Sequence, residues 1–289
     1  MKGTQVRKRH RGAALLLVLW LIVLLTALVG GFAMVARIER LQGLVLVRGV
    51  MADNAARAGL EYAVSQLQLP DPQARWQPDG RPYQWQYNGA TVEVRIVDES
   101  GKVDLNEADP GLLGELFRAV GIEQVEAARL AAAVVDWRDT DPLTQAAGGA
   151  EDADYASAGR PYGAKDAPFE GIAELEQVLG FTPEIYALVA PHVTVHSKLP
   201  RPQPAFASAP VLDAIGLDGA ALVEQRGRED ATGAGVQGAS HSGTYSIDSH
   251  ARLADGRQSM LRAVVRAGGF AGSGMAYSAL HWEEGASPR

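Results

Sequence analysis

Residues 11–36 read RGAALLLVLWLIVLLTALVGGFAMVA, and this stretch decides how the rest of the chain is organised. From Ala13 to Ala36 the run contains no charged side chain. As a helix that rises about 1.5 Å per residue, it is long enough to cross a hydrocarbon core of about 30 Å. Basic residues precede it, so the positive-inside rule places the short N-terminus in the cytoplasm and the rest of the chain beyond the membrane.

Three interpretations of this apolar run compete. A secretory signal peptide has a shorter apolar core of about 7 to 15 residues, followed by a small-residue cleavage site. A plain signal anchor fits the observed length. The junction of Arg11, Gly12 and Ala13 is similar instead to the cleavage site of a type IV prepilin leader, where a dedicated peptidase cuts after the glycine and the helix is kept. This segment alone does not decide between anchor and leader.

Composition narrows the class of protein. The chain has 289 residues, a formal net charge of −7 and no cysteine. The negative charge argues against nonspecific binding of nucleic acid, which needs a positive surface to displace counterions. Without cysteine, neither disulfides nor thiolate metal sites can stabilise the fold, and a hard metal ion bound by an acidic loop is the stabiliser to look for instead.

The helix is expected to continue far beyond the apolar run. Charged residues appear after Ala36, but apolar residues keep a helix-like spacing as far as Leu67. We therefore predict one helix from Ala13 to about Leu67, which Pro70 and Pro72 end. Such a helix is the shape of a pilin spine, and the alternative is a coiled-coil stalk, although no strict heptad persists.

An antiparallel sheet is predicted after the helix. Residues 83–87 alternate aromatic and polar side chains, Asn88-Gly89 is a two-residue hairpin signal, and residues 91–98 alternate again. A long helix packed on an antiparallel sheet gives the α+β class. Strands within 243–268 should rejoin this sheet, and 269–289 is interpreted as a tail.

Two similar helical segments lie within the region between these strands. Residues 116–122 and 175–181 share an apolar pattern with a glycine near the end, and apolar helical spacing follows each copy. We predict a duplicated helix-turn-helix unit of the helix-hairpin-helix or SAM-like class, with chance similarity as the alternative. Competence-type modules of this kind bind DNA, but acidic residues greatly outnumber basic ones between Asp98 and Pro191.

Carboxylates crowd into the stretch between the two copies. In order they are Asp136, Asp139, Asp141, Glu151, Asp152 and Asp154. Packed closely, they would repel one another and raise each other's pKa, and a hard divalent cation would relieve that repulsion. Ca²⁺ accepts about six to eight oxygen ligands in irregular loops, although the spacing is not that of an EF-hand. A solvated acidic loop and the paired carboxylates of a membrane-anchored hydrolase are the alternatives.

The remaining candidate motifs favour no further site. His192 and His196 share one face of a short predicted strand, but zinc needs a third ligand and none is obvious. Ser240, His241 and Ser242 lack the strand-turn-helix setting of a catalytic nucleophile.

Taken together, these features resemble the type II secretion minor pseudopilin K family. The most specific resemblance is the acidic string from Asp136-Trp137 to Gly149-Ala150-Glu151-Asp152 and Tyr155, followed by Pro168-Phe169 and Glu174-Leu175. Residues 103–106 and 209–212 also match. The resemblance covers nearly the whole chain and implies a pilin-like long N-terminal helix packed on an antiparallel sheet, with a large inserted all-α domain.

The resemblance also implies the domain organisation. We expect a prepilin-type leader at 1–12, a transmembrane helix half at 13–36, its periplasmic continuation at 37–69, the first part of the sheet at 70–102, the inserted α-domain with the acidic loop at 103–200, a linker and helix at 201–242, strands that complete the sheet at 243–268, and the tail at 269–289.

The role implied is non-enzymatic. Family members sit at the tip of a short periplasmic filament with the minor pseudopilins I and J, where they are thought to start assembly and support protein export. They also bind calcium in the acidic loop. Carried over, the ligands implied are Asp139, Asp141, Glu151, Asp152 and Asp154, with Asp136 less central. The implied location is the inner membrane, single-pass, and the implied partners include other pseudopilus subunits and prepilin peptidase, but no nucleic acid.

Leu17 fits a tip position. After cleavage at Gly12, Ala13 becomes the first residue, and its amine is the usual site of methylation; Leu17 becomes the fifth. Most pilin-like subunits carry Glu there, which neutralises the N-terminal amine of the preceding subunit inside the apolar core. A tip subunit has no predecessor, and a buried unpaired charge would be costly, so it needs no such Glu. The departure is Ala13, where related pilins more often have Phe.

Overall fold

A computed structural model describes residues 11–71, 74–231, 241–268 and 276–285, without the side chains of 11–13 and 229–231. The predicted leader residues 1–10 and Pro72 lie outside the described residues. The chain divides into two compact units, Met1–Met51 and Ala52–Arg289.

One helix runs through the N-terminal part of the chain. Helix α1 spans Arg11–Leu67, which agrees closely with the predicted ends. In the first unit its side chains are exposed over residues 14–48, and an 18-residue window reaches a mean hydropathy of 2.8. By length and composition, this helix can cross a membrane.

The second unit contains a five-stranded antiparallel sheet. Its strands are β1 (Asp79–Tyr87), β2 (Ala90–Asp98), β5 (Thr244–Leu253), β6 (Gln258–Ala267) and β7 (Tyr277–Glu284), in the spatial order β1-β2-β5-β6-β7. The hairpin between β1 and β2 turns at Asn88 and Gly89, with φ values of 46° and 79°. Positive φ at both central residues is what a type I′ turn requires, so the predicted hairpin is confirmed.

The C-terminal part of α1 covers one face of this sheet. Alternate residues of β2, such as Val92, Val94 and Ile96, are buried, as is Ile247 on β5. On the helix, Leu60 and the alanines around it are buried in the same core. The alternation of period two on the strands and the helical spacing on α1 therefore give the predicted α+β class, which is confirmed.

A helical region is inserted between β2 and β5. It contains α2 (Pro110–Ala119), α3 (Gln124–Arg138), α4 (Asp152–Ser157), a 3-10 helix (Ile172–Gln177), α5 (Pro183–Val189), α6 (Ala209–Ala214) and α7 (Gly219–Ala231). Phe117, Leu130, Tyr155 and Leu175 belong to one buried apolar cluster that joins these elements. The insertion thus has its own hydrophobic core.

The two copies of the predicted repeat are only partly alike. Gly121 and Gly180 both adopt positive φ, at 99° and 96°, after their helical segments. The first copy is the α-helix α2, whereas the second is the short 3-10 helix Ile172–Gln177. The carboxylate of Glu174 accepts the N–H groups of Glu170 and Gly171, and these bonds cap the start of the second copy.

Two predictions for the C-terminal part were wrong. The segment 269–289, interpreted as a tail, contains β7, an edge strand whose mostly exposed side chains lack the apolar alternation that identifies a half-buried strand. The one helix expected within 201–242 is two helices, α6 and α7, separated by Gly216 at φ 83°. This is a conformation that L side chains rarely adopt.

A buried polar cluster lies where the insertion leaves and rejoins the sheet. Strands β3 (Val103–Asp104) and β4 (Val193–Thr194) pair in parallel there. The buried carboxylate of Glu99 accepts hydrogen bonds from Lys102 Nζ at 2.7 Å and from the hydroxyls of Thr194 and Ser246. Lys102 Nζ also donates to the Ser246 hydroxyl at 2.7 Å. The ion pair and its hydrogen bonds therefore connect three parts of the chain: the segment that leads into β3, strand β4 and strand β5.

The partners of Glu99 outweigh the cost of its burial. Burial alone would raise its pKa, but the Lys102 ammonium and the hydrogen bonds from Lys102, Ser246 and Thr194 hold the pKa below its ordinary value. Removing one member of such a pair leaves the other charge buried and uncompensated.

We predict that Glu99→Gln lowers the free energy of unfolding by about 3–5 kcal/mol, because Lys102 stays buried without a countercharge. Urea unfolding of the detergent-solubilised chain, followed by tryptophan fluorescence, measures the change. The control is Glu115→Gln, which breaks an exposed pair with Arg118 and should change stability by less than about 1 kcal/mol. Equal effects of the two substitutions would contradict the role given to Glu99.

Candidate metal site at the acidic loop

The acidic loop begins at the C-terminal end of α3 with Asp136. Its side chain is fully buried, and its carboxylate accepts the N–H of Gln145 at 3.2 and 3.3 Å. Gly149 passes so close to this carboxylate that a Cβ atom there would collide with it. The loop therefore folds back over Asp136, as the two glycines at 148–149 allow.

Two neighbouring carboxylates have oxygens that are buried without a hydrogen-bond partner. They are Asp139 Oδ1, at the C-cap of α3, and Glu151 Oε1, at the N-cap of α4. Buried carboxylate oxygens normally accept hydrogen bonds, because an unsatisfied one loses its hydration without replacement. These two oxygens are therefore open to a ligand that supplies positive charge.

The carboxylates lie within electrostatic range of one another. Burial, and then the charges of Asp136, Asp139, Asp166 and Asp152 in that order, together raise the pKa of Glu151 to about 7. Burial, and then repulsion from Asp141, raise the pKa of Asp139 as well. Asp136 shows the same direction, with burial as the largest cause. The repulsion that the sequence predicted is thus present in the fold.

The other predicted ligands occupy different positions. Asp141 is exposed, and its Oδ1 accepts the N–H of Leu143 at 3.0 Å. Asp152 Oδ1 accepts the N–H of Ala164 at 3.1 Å. Asp154 turns back to accept the N–H of Glu151 at 3.0 Å, so its carboxylate caps α4.

The structure adds Asp166 to this acidic set. It is exposed, has φ 52° and lies close enough to act on the pKa of both Glu151 and Asp139. Sequence reasoning missed it because it follows the dense part of the string by twelve residues. The sequence did offer one indication: Asp166 lies just before Pro168-Phe169, a pair that belongs to the same resemblance.

The donor set fits a hard divalent cation. All candidate atoms are carboxylate oxygens, two of them buried without a partner, and such oxygens suit Ca²⁺. Within the ranges that the structure describes, no three of these side chains stand close enough together to ligate one ion as they are. Binding would therefore need some of the exposed carboxylates to rotate inward.

Aromatic side chains support the loop from the core side. Trp137 lies 5.9 Å from Tyr155 and 6.4 Å from both Tyr162 and Phe169, measured between ring centroids. Tyr155 is fully buried, and its hydroxyl accepts the N–H of Leu179 at 3.0 Å; burial raises its pKa to about 12. The loop therefore rests on packed rings.

Other residues of the resemblance fix this region in place. The side-chain amide of Asn106 donates to the Phe169 carbonyl at 2.9 Å and accepts the Phe169 N–H at 2.7 Å. Glu174 accepts from Lys165 Nζ at 2.8 Å and from Trp137 Nε1 at 3.4 Å. These residues of the resemblance thus make hydrogen bonds that hold the segments around the acidic loop together.

The remaining candidate residues lie elsewhere. Gly12 and Ala13 are in the first turns of α1, where side chains are not described, and Leu17 is 71% exposed. His192 Nδ1 is 2.9 Å from the Ser208 hydroxyl, and half-buried His196 donates its N–H to Thr194 Oγ1. Ser240 is outside the described residues.

Comparisons with known proteins agree with this organisation. Residues 94–198 match the family model described as type II secretion system (T2SS), protein K. The type II secretion system protein K of Aeromonas hydrophila is 28% identical over 197 residues, which cover 64% of this chain and 60% of that protein. The matched part is thus less than two thirds of that relative's length.

A solved structure has a similar fold. It is the crystal structure of the GspK-GspI-GspJ complex from the enterotoxigenic Escherichia coli type 2 secretion system. The match has a TM-score of 0.57 and 17% sequence identity, and it covers 87% of this chain and 99% of the matched one. The predicted resemblance is confirmed: residues 94–198 match the type II secretion protein K family model, within a chain whose fold is similar to that of a chain of the GspK-GspI-GspJ complex.

Proposed function

We propose that the protein is a non-enzymatic minor pseudopilin, which starts assembly of the type II secretion pseudopilus from its tip and supports protein export. One observation carries the proposal: a protein K domain is inserted in a pilin-like sheet that follows a long apolar helix. In this role the inserted domain caps the filament, and the helix joins the spines of the other subunits.

The anchoring helix sets the location. We infer a single-pass protein of the inner membrane with a cytoplasmic N-terminus, because the basic residues precede the apolar run. Prepilin peptidase would cut after Gly12 and leave Ala13 as the first residue, with a methylated amine. Leu17 then suits the first subunit, because a Glu at that position would lack the amine that neutralises it.

The partners are proposed from the fold. The similar solved chain comes from the crystal structure of the GspK-GspI-GspJ complex. We infer that this chain assembles with the minor pseudopilins I and J of its own secretion system, and with other pseudopilus subunits once the filament grows.

Calcium is proposed as a structural ion of the acidic loop. Asp139 and Glu151 supply buried oxygens that have no other partner, and Asp136, Asp141, Asp152 and Asp166 surround them. Asp154 is placed less favourably, because it caps α4. The ion would neutralise the mutual repulsion, and these residues would then hold the loop to α3 and α4.

The mature N-terminus tests the leader. We predict that intact-mass measurement of the chain from cells with active prepilin peptidase shows a start at Ala13 with one methyl group. Gly12→Val should leave the full-length chain uncut, because the peptidase reads the glycine. A wild-type chain that retains Met1 in such cells would return the plain signal anchor to first place.

Co-purification tests the partners. We predict that the detergent-solubilised full chain, co-expressed with the I and J pseudopilins of its own system, elutes with both in one peak of a size-exclusion column. A tagged major pseudopilin in place of I and J controls for nonspecific helix contacts. Failure to bind either protein, with or without calcium, would overturn the proposed role.

Glu151→Gln tests the calcium site. In chelator, the ionised Glu151 carboxylate destabilises the folded state, because its pKa of about 7 in the folded chain exceeds the ordinary 4.5. The free energy of unfolding therefore falls as the pH rises from 4.5 to 7. We predict that Glu151→Gln raises the melting temperature in chelator at pH 7.5. In calcium the order should reverse, because the variant loses a ligand and with it the stabilisation by binding.

The control for this experiment is Glu170→Gln, which removes a neighbouring carboxylate whose side chain is 89% exposed. It should leave the calcium-dependent rise in melting temperature unchanged. The calcium site would be excluded if calcium raised the melting temperature of Glu151→Gln as much as that of wild type, or did not raise that of wild type at all.

A further inference from the structure

A groove of about 400 Å³ lies between helices α2 and α3, next to the acidic loop. Small residues line most of it, namely Gly111, Gly114, Ala128, Ala132, Ala146 and Ala147. The exposed ion pair of Glu115 and Arg118 lines it as well. Because Ala146 and Ala147 belong to the acidic loop, the loop itself forms one wall of the groove.

Residues 140–144, which we call the strap, lead from α3 to this wall. At one end of the strap is Asp139, the C-cap of α3. At the other end the Gln145 N–H donates to the buried Asp136 carboxylate at 3.2 and 3.3 Å. All five residues of the strap are classed as exposed or half-buried, so the strap is held at its two ends and lies in solvent between them.

The strap's own hydrogen bonding is local. In the described structure it consists of one bond, which the Leu143 N–H donates to Asp141 Oδ1 at 3.0 Å. Both partners of this bond lie within the strap, so the bond shapes the strap without attaching it to the helices.

Leu143 is the one large apolar residue of the strap, and its side chain has a place to go. It is 70% exposed, and Gln145, two positions further on, lines the groove. Two residues of extended chain span at most about 7 Å, so the Leu143 side chain can reach the small residues of the lining. Moving it there would remove apolar surface from water, which favours the closed position.

Asp141 couples the strap to the acidic loop. Its charge acts on both Asp136 and Asp139, so its carboxylate lies within electrostatic range of the two. It is also one of the exposed carboxylates that must turn inward before three of them can share one ion. When Asp141 turns, the Leu143 N–H loses its acceptor, and the strap has to change conformation.

We propose that the strap closes when the acidic loop binds calcium: Asp141 turns toward the ion, and Leu143 moves into the groove between α2 and α3. This inference rests on the calcium site proposed above. Leu143 is then buried only in the calcium-bound state, so the groove contributes to calcium affinity although it holds no ligand. The strap thereby links the ion to the surface of the inserted domain.

Leu143→Ser tests the strap in the full chain in detergent, titrated with calcium chloride in a calorimeter. We expect the Kd for calcium to rise about tenfold, the order of effect of no longer burying one leucine side chain. The matched control is Leu188→Ser, which replaces a leucine of α5 that is 49% exposed and lies outside the groove. It should leave the affinity unchanged.

Ala128→Leu fills the groove from α3 without touching the strap or the carboxylates. It should weaken calcium binding to a similar extent, and Leu143→Ser in this background should add little, because the two changes remove the same contact. Ala128→Ser keeps the groove open and should bind calcium like wild type. Effects of Leu143→Ser and Ala128→Leu that simply add in the double variant would contradict a shared contact.

A single thiol reports the position of the strap directly. The chain has no cysteine, so Leu143→Cys carries a unique thiol with a small apolar side chain. Its reaction with a maleimide should slow about tenfold when calcium replaces chelator, because the thiol moves out of water. Val125→Cys, at a position of α3 that is 67% exposed, should react equally fast in both buffers.

The outcomes separate this inference from the proposals on which it rests. Wild type that binds no calcium overturns the calcium site and the strap together, while assembly with I and J is decided by co-purification. Wild type that binds calcium, together with Leu143→Ser of equal affinity or a Leu143→Cys thiol that reacts equally fast in both buffers, overturns the strap and leaves the calcium site in place.

Discussion

The buried pair of Glu99 and Lys102 is the constraint on which the rest of the second unit depends. A domain inserted between two neighbouring strands must leave and return at nearly the same point, and parallel pairing of β3 with β4 creates that point. Hydrogen bonds from Thr194 and Ser246 to Glu99 then join it to the sheet. Because charge and hydrogen bonds are both satisfied inside the protein, the insertion is held in one arrangement relative to the strands around it.

The acidic loop follows the opposite principle. Glu99 has partners for its carboxylate, whereas Asp139 and Glu151 each have a buried oxygen without a hydrogen-bond partner, and their neighbours include further carboxylates. On the core side of the loop, the rings of Trp137 and Tyr155 pack against each other. A proton or a cation would relieve the repulsion in such an arrangement, and this is the ground on which we propose a structural calcium ion there.

Sequence reasoning succeeded where one physical signal dominates. The uncharged apolar run and its continuation gave α1 nearly to the residue, and Asn88-Gly89 gave the hairpin, because few other conformations suit those residues. It failed at β7, whose exposed side chains carry no burial pattern, and at the second repeat copy, which is a short 3-10 helix capped by Glu174. The dense carboxylates were visible in the sequence, but Asp166 joins them only through the fold.

The most direct test of the central claim is secretion in the source bacterium after deletion of the gene for this chain. The account predicts that a type II substrate then accumulates in the periplasm, and that the wild-type chain restores its appearance outside the cell. Unchanged extracellular substrate in the deletion strain would contradict the claim that this chain starts the secretion filament.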